Sequence, residues 1–313
     1  MTSWSSALLE QLATKLCRAA GLPAPHQRTT IREWELCGVH RLHLPDRTLI
    51  LKLALPPFTN EPVTLTALAA AGIPVPALHA YTQHADVTGM LMADLGPALH
   101  APTYEQTAGA AAAHLHRPDP LPGHPTVDTA ALHDTAVQGL ALVDQAHAVG
   151  AIANPGPLHA ALKHLDQFAA LRARDTDRPP YGICHGELHP TALHISTIGQ
   201  HFVDVPLAHT GPGLLDLASV LGVRAVDVNA MRTLISSYVR TGGHPDAGAD
   251  RGGLDSARWA LGWHRVLSAL RHLRQAGADQ PVDGVGHLSP SPPPNDDVGA
   301  AERQLRAAIQ LLE

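Results

Sequence analysis

The middle of the chain carries the octapeptide His185-Gly186-Glu187-Leu188-His189-Pro190-Thr191-Ala192. Two short segments follow it, Val203-Asp204-Val205 and then Gly213-Leu214-Leu215-Asp216-Leu217-Ala218. A carboxylate between apolar residues, as at Asp204, is costly to bury unless it binds a metal ion or accepts hydrogen bonds. Asp204 is therefore a candidate metal ligand, and the alternative is an aspartate that stabilises a turn.

The order and spacing of these segments resemble the aminoglycoside phosphotransferase and choline kinase family. That family has an HGDxHxxN catalytic loop, a short hairpin, an I-D-W-type metal site and a later D-L-A. Upstream, Met90-Leu91-Met92-Ala93-Asp94-Leu95-Gly96 looks like the family's hinge, and His114-Leu115-His116 resembles its Leu-His helix end. The resemblance covers roughly residues 34–222.

The resemblance implies an α+β, bilobal, protein-kinase-like fold with a small antiparallel-sheet N-lobe and a larger, mainly helical C-lobe. We expect a nucleotide-binding lobe over residues 1–95 and a catalytic and substrate lobe over residues 96–313. The boundary is placed where Asp94-Leu95-Gly96 gives way to sequence rich in alanine and leucine.

The implied activity is ATP-dependent phosphoryl transfer to a hydroxyl group, with ATP and Mg²⁺ as cofactors. This chemistry needs a lysine on the phosphates, a carboxylate that positions that lysine, ligands for Mg²⁺ and a carboxylate beside the acceptor hydroxyl. Asp216 and His185 are expected to order the catalytic loop. The resemblance assigns the functional positions as follows: nucleotide binding to Lys52, Glu61, Met92 and Asp94, metal binding to Asp204, and catalysis to Glu187.

The residues around Lys52 favour its assignment only in combination with the downstream motifs. Lys52 interrupts the otherwise apolar run Leu49-Ile50-Leu51-Lys52-Leu53, where a buried ammonium group needs a partner. Glu61, at the start of the next predicted helix, is the natural ion-pair candidate. The alternative is an exposed strand lysine and an unrelated glutamate favoured by the helix dipole.

Two positions depart from the family pattern. Glu187 stands where the family has aspartate, and Ala192, which cannot ligate a metal ion, stands where it has asparagine. The glycine-rich loop is also reduced to Gly38. Because phosphoryl transfer depends on positioning, displacing the carboxylate by about 1 Å could cost on the order of 100-fold in rate.

Three functional hypotheses follow. The first is a phosphotransferase of weakened activity that acts on a small molecule or a peptide. The second is a pseudokinase that binds a substrate or activates a partner modification enzyme without phosphoryl transfer. The third takes His185, Glu187 and His189 as a transition-metal site of a hydrolase, although their spacing does not give the helical face of an HExxH site.

Composition excludes several other classes. The net charge of −6, the lack of a basic stripe and an aromatic content of 4% argue against a nucleic-acid partner. No apolar run approaches the roughly 18 residues of a membrane span, and no secretory signal is apparent. The three cysteines are far apart in the sequence, which indicates a reducing, cytoplasmic setting.

Periodicity predicts a first helix at 5–20, a hairpin at 41–53, and a helix at 61–71 capped by Asn60. Further strands are expected at 77–83, 89–92, 181–184, 193–196 and 201–205. Further helices are expected at 103–116, 129–149, 214–222, 230–241 and 254–277. A Pro-rich connector, 281–297, is predicted to lead into a final helix at 300–312.

Overall fold

The structure is a computed structural model that describes residues 4–278 and 295–313. The chain divides into two compact units. Unit 1 comprises Met1–Pro102 and Thr191–Ala208, and unit 2 comprises Thr103–Pro190 and His209–Glu313. The division into functional lobes at residue 95 stays a prediction. Within the described ranges, no helix combines the length and apolar character needed to cross a membrane.

Unit 1 contains a five-stranded antiparallel sheet. Its strands are β1 (Gln27–Trp34), β2 (Cys37–His43), β3 (Thr48–Ala54), β4 (Leu78–His84) and β5 (Val87–Ala93). They lie in the order β1-β2-β3-β5-β4. The predicted hairpin is confirmed as β2 and β3, in which Lys52 lies opposite Val39. On the other side of β3, Lys52 lies opposite Met90 of β5.

Helix α1 (Ser6–Ala19) buries its apolar face against this sheet, as its spacing predicts. Its side chains Leu9, Leu12 and Leu16 form one core with Leu51 and Leu91. Strand β1 was not predicted. It is an edge strand with mostly exposed residues, so its sequence lacks the apolar alternation that marks a half-buried strand.

Helix α2 (Glu61–Ala70) has Asn60 at its N-cap position, as predicted, but the Asn60 side chain does not cap it. Asn60 has helical backbone angles and its side chain makes no capping hydrogen bond; its carbonyl oxygen accepts from Val63 and Thr64 instead. The helix ends before Gly72, whose φ of 71° is accessible to glycine without strain. This start places Glu61 in the first turn.

The second segment of unit 1 is a short hairpin of β7 (Leu193–Ser196) and β8 (Gly199–Phe202). Its backbone bonds to the first segment at two points, from the Phe202 amide to the Pro74 carbonyl and from the Leu99 amide to the Ile195 carbonyl. The strand predicted at 201–205 therefore begins and ends earlier than expected. Asp204 lies just beyond it.

Unit 2 is mainly helical. Its predicted helix 129–149 is divided at Asp134 into two, and a helix at Gly156–Arg172 was not predicted. The segment predicted at 103–116 is a helix that continues as one π-helical turn, Ala111–Leu115. The helices are α3 (Tyr104–Ala110), α4 (Thr129–His133), α5 (Thr135–Ala148), α6 (Gly156–Arg172), α7 (Gly213–Leu221), α8 (Val228–Arg240), α9 (Ser256–Ala278) and α10 (Asn295–Leu312).

The main core of unit 2 lies among α5, α6, α9 and α10. Leu158, Leu162, Leu270 and Leu305 are at its centre and are almost fully buried. The predicted connector at 281–297 lies outside the described residues up to 294, and its last three residues belong to α10. The final helix thus begins earlier than residue 300.

A two-stranded ribbon of β6 (Tyr181–Cys184) and β9 (His209–Pro212) leads into the octapeptide. Strand β9 was not predicted, because Gly211 and Pro212 are turn-forming residues. Gly182 and Gly211 are opposite one another in the ribbon. The Arg117 backbone runs so close to Gly182 that a Cβ there would overlap the Arg117 carbonyl. The same carbonyl accepts a hydrogen bond from the Ile183 amide at 3.2 Å.

We predict that Gly182→Ala destabilises the protein by about 3 kcal/mol or more, because the backbone of Arg117 cannot yield as a flexible side chain would. Chemical denaturation monitored by circular dichroism measures the change. Gly248→Ala is the matched control, since a Cβ at Gly248 meets no atom within 4 Å. That variant should stay within about 0.5 kcal/mol of the parent. Equal stabilities for the two variants would contradict the close approach.

Candidate functional site

Lys52 is the centre of a buried ion cluster in unit 1. Its Nζ lies 2.8 Å from Glu61 Oε1 and 2.7 Å from Glu61 Oε2. It also lies 2.5 Å from Asp204 Oδ1. The side chains of Lys52 and Glu61 are 6% and 2% exposed, so the predicted pairing of strand lysine and helix glutamate is confirmed. The alternative of an exposed, unpaired lysine is wrong.

The two carboxylates keep the ammonium group charged. Burial alone would lower the pKa of Lys52, but the charges of Glu61 and Asp204 outweigh it and hold that pKa above its ordinary value. A permanently charged, nearly buried ammonium is suited to binding phosphate oxygens. The carboxylate of Glu61 fixes its position.

Asp204 differs from Glu61 in both burial and backbone conformation. Its side chain is 44% exposed, and its φ of 58° lies in the left-handed region that non-glycine residues rarely adopt. A partly exposed carboxylate is a ligand that Mg²⁺ accepts, since this ion is commonly held by one or two carboxylates together with phosphates and water. The residue thus fits a magnesium ion. Its role as the ligand stays a prediction.

The hinge residues have defined places in unit 1. Met92 lies in β5 opposite Ile50 and Leu78 and is almost buried. Asp94 accepts from Arg41 Nε at 2.6 Å and from Arg41 Nη2 at 3.1 Å. It also accepts from the Gly96 amide at 3.0 Å. These bonds engage both Asp94 oxygens within the protein, and the assignment of Met92 and Asp94 to nucleotide binding stays a prediction.

The region of Gly38 does not form a glycine-rich loop. Gly38 lies within β2, and a Cβ there would meet the Trp4 indole at 2.9 Å. Only Glu35 and Leu36 separate β1 from β2. The glycine is therefore explained by the close approach of an indole ring.

The start of the octapeptide is held by Asp216 in unit 2. The Asp216 carboxylate accepts from the backbone amides of His185 at 2.6 Å and Gly186 at 2.8 Å. Gly186 has a φ of 84°, so the loop turns sharply at that residue. The expected loop-ordering role of Asp216 is confirmed.

Asp216 is in turn supported by His116, at the end of the Leu-His motif. His116 Nε2 lies 3.3 Å from Asp216 Oδ2, and His116 Nδ1 lies 3.2 Å from the Tyr238 hydroxyl. The side chains of His116 and Asp216 are both 1% exposed. Burial alone would raise the pKa of Asp216, but the hydrogen bond and charge of His116 hold it below its ordinary value.

The carboxylate of Glu187 is half exposed and contacts one basic residue. Its Oε1 lies 3.3 Å from Arg271 Nη1, and the two side chains are 49% and 30% exposed. Ala192 is fully buried in unit 1, where its carbonyl accepts from the Val203 amide. Sequence reasoning found Glu187 but not Arg271, because nothing in the chain order connects residues 84 positions apart.

No metal centre is formed by the histidines of the octapeptide. Among residues 4–278 and 295–313, His185, Glu187 and His189 do not bring their ligand atoms within 4.8 Å of one another, so the hydrolase hypothesis is not supported. Ligand atoms of His116, Cys184 and Asp216 do come that close. Burial raises the pKa of Cys184 well above its ordinary value, and a protonated thiol is a poor metal ligand.

Comparison with known proteins agrees with this geometry. A family model described as the phosphotransferase enzyme family matches residues 39–254. None of the curated proteins matches the chain. Solved structures of kinase-like proteins match it over nearly its full length.

The chain is similar to the aminoglycoside phosphotransferase APH(4)-Ia, with 13% identity, a TM-score of 0.60 and coverage of 98% of this chain and 99% of that one. A thermostable mutant of APH(4)-Ia, 14% identical with a TM-score of 0.59 and coverage of 98% and 99%, was solved with AMP-PNP and hygromycin B. A protein from Haemophilus somnus 129PT with a provisional assignment as a fructosamine-3-kinase is 14% identical, with a TM-score of 0.59 and coverage of 97% of each chain. At these identities the likeness establishes the α+β, kinase-like fold.

We predict that Asp216→Asn lowers the free energy of unfolding at pH 7 by about 2–4 kcal/mol, because two backbone amides and His116 lose a charged acceptor. The folded-state pKa of Asp216 is depressed, so its contribution is present above the unfolded value of about 3.9 and is lost as pH falls through the folded value. The difference between parent and variant should therefore shrink on acidification.

Denaturant titrations between pH 3 and pH 7 measure this dependence. Asp46→Asn is the control, because Asp46 is exposed and pairs with its neighbour Arg47. It should change stability little at any pH. A difference for Asp216→Asn that stays constant across the range would contradict the charged interaction.

Proposed function

The chain belongs to the phosphotransferase enzyme family, and we propose that it is an ATP-dependent O-phosphotransferase acting on a hydroxyl group of a small molecule or a peptide. The observation that carries the proposal is the buried cluster of Lys52, Glu61 and Asp204. A nearly buried lysine held by two carboxylates is an expensive arrangement. Binding of a phosphate-bearing ligand by Lys52 would account for this buried cluster.

In the proposed reaction, unit 1 binds the nucleotide. Lys52 contacts the α- and β-phosphates and Glu61 fixes Lys52. The solved mutant of APH(4)-Ia with AMP-PNP supports the choice of ATP as donor. Residues from Met92 to Asp94 are the proposed hinge beside the base. Asp204 holds Mg²⁺, which when bound neutralises charge on the phosphates.

Glu187 of unit 2 is the proposed group beside the acceptor. It accepts the hydroxyl proton while the hydroxyl oxygen forms a bond to the γ-phosphorus. The bond from that phosphorus to the β,γ-bridging oxygen breaks, and the electron pair leaves with ADP. The bonds from Asp216 to His185 and Gly186 hold the loop that carries Glu187.

A pseudokinase is the second candidate, and Ala192 favours it. This residue is fully buried and offers no metal ligand in place of the family's asparagine. A protein that binds Mg–ATP without transferring phosphate could hold a substrate or activate a partner modification enzyme. Binding with transfer supports the enzyme, and binding without transfer to any acceptor supports the pseudokinase.

We predict that the protein binds Mg–ATP and that Asp204→Asn weakens the binding at least tenfold, because the variant keeps the side-chain shape but loses the negative charge that Mg²⁺ requires. Lys52→Met should abolish Mg–ATP binding. Because it leaves two carboxylates unpaired, it should also lower the free energy of unfolding by about 3–5 kcal/mol. Isothermal titration with and without Mg²⁺ gives both affinities.

Lys163→Met is the matched control for Lys52→Met, since Lys163 is an exposed lysine of α6. It should bind Mg–ATP as the parent does. Failure of the folded parent to bind Mg–ATP, or an unchanged affinity in Asp204→Asn, would overturn the assignment of the nucleotide and metal site.

We predict that Ala192→Asn tightens Mg–ATP binding and raises ATP turnover, because it restores a side-chain oxygen that Mg²⁺ accepts. Position 192 is fully buried, so an asparagine without a ligand should destabilise the free protein by about 1–3 kcal/mol. Mg–ATP should recover part of this loss.

Combining Glu187→Asp with Ala192→Asn should raise turnover further. The gain of the double variant should differ from the sum of the two single gains, because both positions act on one reaction. Mg–ATP affinity and ADP release are measured for the parent, the two single variants and the double variant. A double variant whose Mg–ATP affinity and ADP release do not exceed those of the parent would exclude the weakened enzyme in favour of the pseudokinase.

A further inference from the structure

One face of α9 carries polar side chains at every turn. They are His264, Ser268, Arg271 and Gln275, spaced by four, three and four residues, which is the spacing of a single helical face. We call these four residues the polar stripe. Leu270 and Leu273 of the same helix lie in the core of unit 2. The salt bridge from Arg271 to Glu187 places the polar stripe beside the proposed catalytic carboxylate.

The polar stripe contains a buried group without a partner. His264 is 8% exposed, and its Nδ1 makes no hydrogen bond to any residue of the described ranges. Burial and the charges of Arg271 and Arg265 lower the pKa of His264 to about 3, so the imidazole is neutral at physiological pH. A buried, unsatisfied ring nitrogen normally costs stability unless a ligand or water completes it.

The guanidinium of Arg271 also has hydrogen-bond donors that no described residue accepts from. Among the described residues, its one hydrogen bond is the 3.3 Å contact from Nη1 to Glu187. A half-exposed pair of this kind contributes about 0–1 kcal/mol and is easily rearranged. The remaining nitrogens of the planar guanidinium can therefore bind a second anion in the two-point geometry that arginine favours.

Arg274 is a second arginine close to Arg271 on α9. Arg274 follows Arg271 by three residues, so the two side chains are neighbours on the helix surface. Desolvation and the charge of Arg271 lower the pKa of Arg274. Among the described residues, Glu187 forms a salt bridge with Arg271, and no carboxylate forms one with Arg274. An acceptor with amino groups would be repelled here, whereas an acceptor with a carboxylate or phosphate would be attracted.

We propose that the polar stripe binds the phosphate acceptor and that this acceptor is a small hydroxyl compound bearing an anionic group, which Arg271 recognises. The inference rests on the proposed phosphotransferase function and names the class of its substrate. The acceptor hydroxyl loses its proton to Glu187 as its oxygen forms the bond to the γ-phosphorus and ADP departs. Arg271 binds the anionic group of the acceptor.

Matched acceptors that differ only in charge test the proposal. One set is glycerate, glycerol and 3-amino-1,2-propanediol, and the other is gluconate, sorbitol and glucamine. Each is titrated into the full chain saturated with Mg–AMP-PNP, and affinity is measured by calorimetry. We expect the acid of at least one set to bind at least tenfold more tightly than its neutral and amino counterparts.

Arg271→Gln should remove this preference and weaken binding of the acid at least tenfold, while Arg271→Lys, which keeps the charge but loses the two-point geometry, should retain part of it. Arg232→Gln is the control. Arg232 forms a similar 3.3 Å exposed salt bridge, with Asp255, on another helix of unit 2. It should bind every compound as the parent does.

Tighter binding of an amino compound, equal binding within both sets, an unchanged preference in Arg271→Gln, or no binding of either acid at 10 mM would each overturn the proposal. Saturation with Mg–AMP-PNP before the acceptor is added separates this failure from failure of the proposed function. A protein that binds the nucleotide but none of the acids retains the proposed nucleotide site and loses only the assigned acceptor class.

Discussion

The ammonium group of Lys52 is the constraint around which unit 1 is organised. A cation in the middle of a buried strand would be prohibitively costly without counter-charges. Glu61 supplies one from the first turn of α2. Asp204 supplies the other from a position 152 residues further along the chain. The salt bridge thus helps to fix the β7-β8 hairpin within unit 1, far in sequence from the sheet that it joins.

In unit 2, a buried negative charge, the carboxylate of Asp216, has the corresponding organising role. The Asp216 carboxylate is buried at the start of α7 and has amide donors from one loop and an imidazole from His116. A buried carboxylate with several donors is stable only in one arrangement of those donors, so it specifies the loop conformation. In each unit, therefore, one buried charged side chain fixes the conformation of the residues around it. In unit 1 that charge is also the one proposed to bind phosphates, whereas in unit 2 the proposed reacting group, Glu187, is a different and exposed residue.

The sequence was sufficient for the parts of this arrangement that follow from local pattern or from a run of motifs. It predicted the hairpin, the helix led by Glu61 and the loop-ordering role of Asp216. It did not predict β1 or β9, because an exposed edge strand and a strand ending in Gly211 and Pro212 lack the apolar alternation on which strand prediction depends.

Only some of the side-chain contacts could be predicted from the sequence. The pairing of Lys52 with Glu61 could be inferred because both belong to a recognisable order of elements. The contacts of Asp94 with Arg41 and of Glu187 with Arg271 could not, because each joins a motif residue to one outside any motif. Asn60 occupies the predicted N-cap position, but its backbone is already helical, which removes the extended geometry that a side-chain cap requires.

The glutamate at position 187 is consistent with the presence of Arg271. An aspartate would be shorter by one carbon–carbon bond, about 1.5 Å, and would withdraw its carboxylate from a guanidinium that now lies 3.3 Å away. The longer side chain reaches the polar stripe of α9 and shares its charge with Arg271. The glutamate departs from the family's aspartate, but its carboxylate has a local partner in Arg271.

Ala192 has no comparable partner, because it is buried among unit 1 residues and presents only a methyl group. Of the two departures from the family pattern, the one at position 192 is thus the stronger argument against efficient metal binding, and the one at position 187 bears on which acceptor the protein selects.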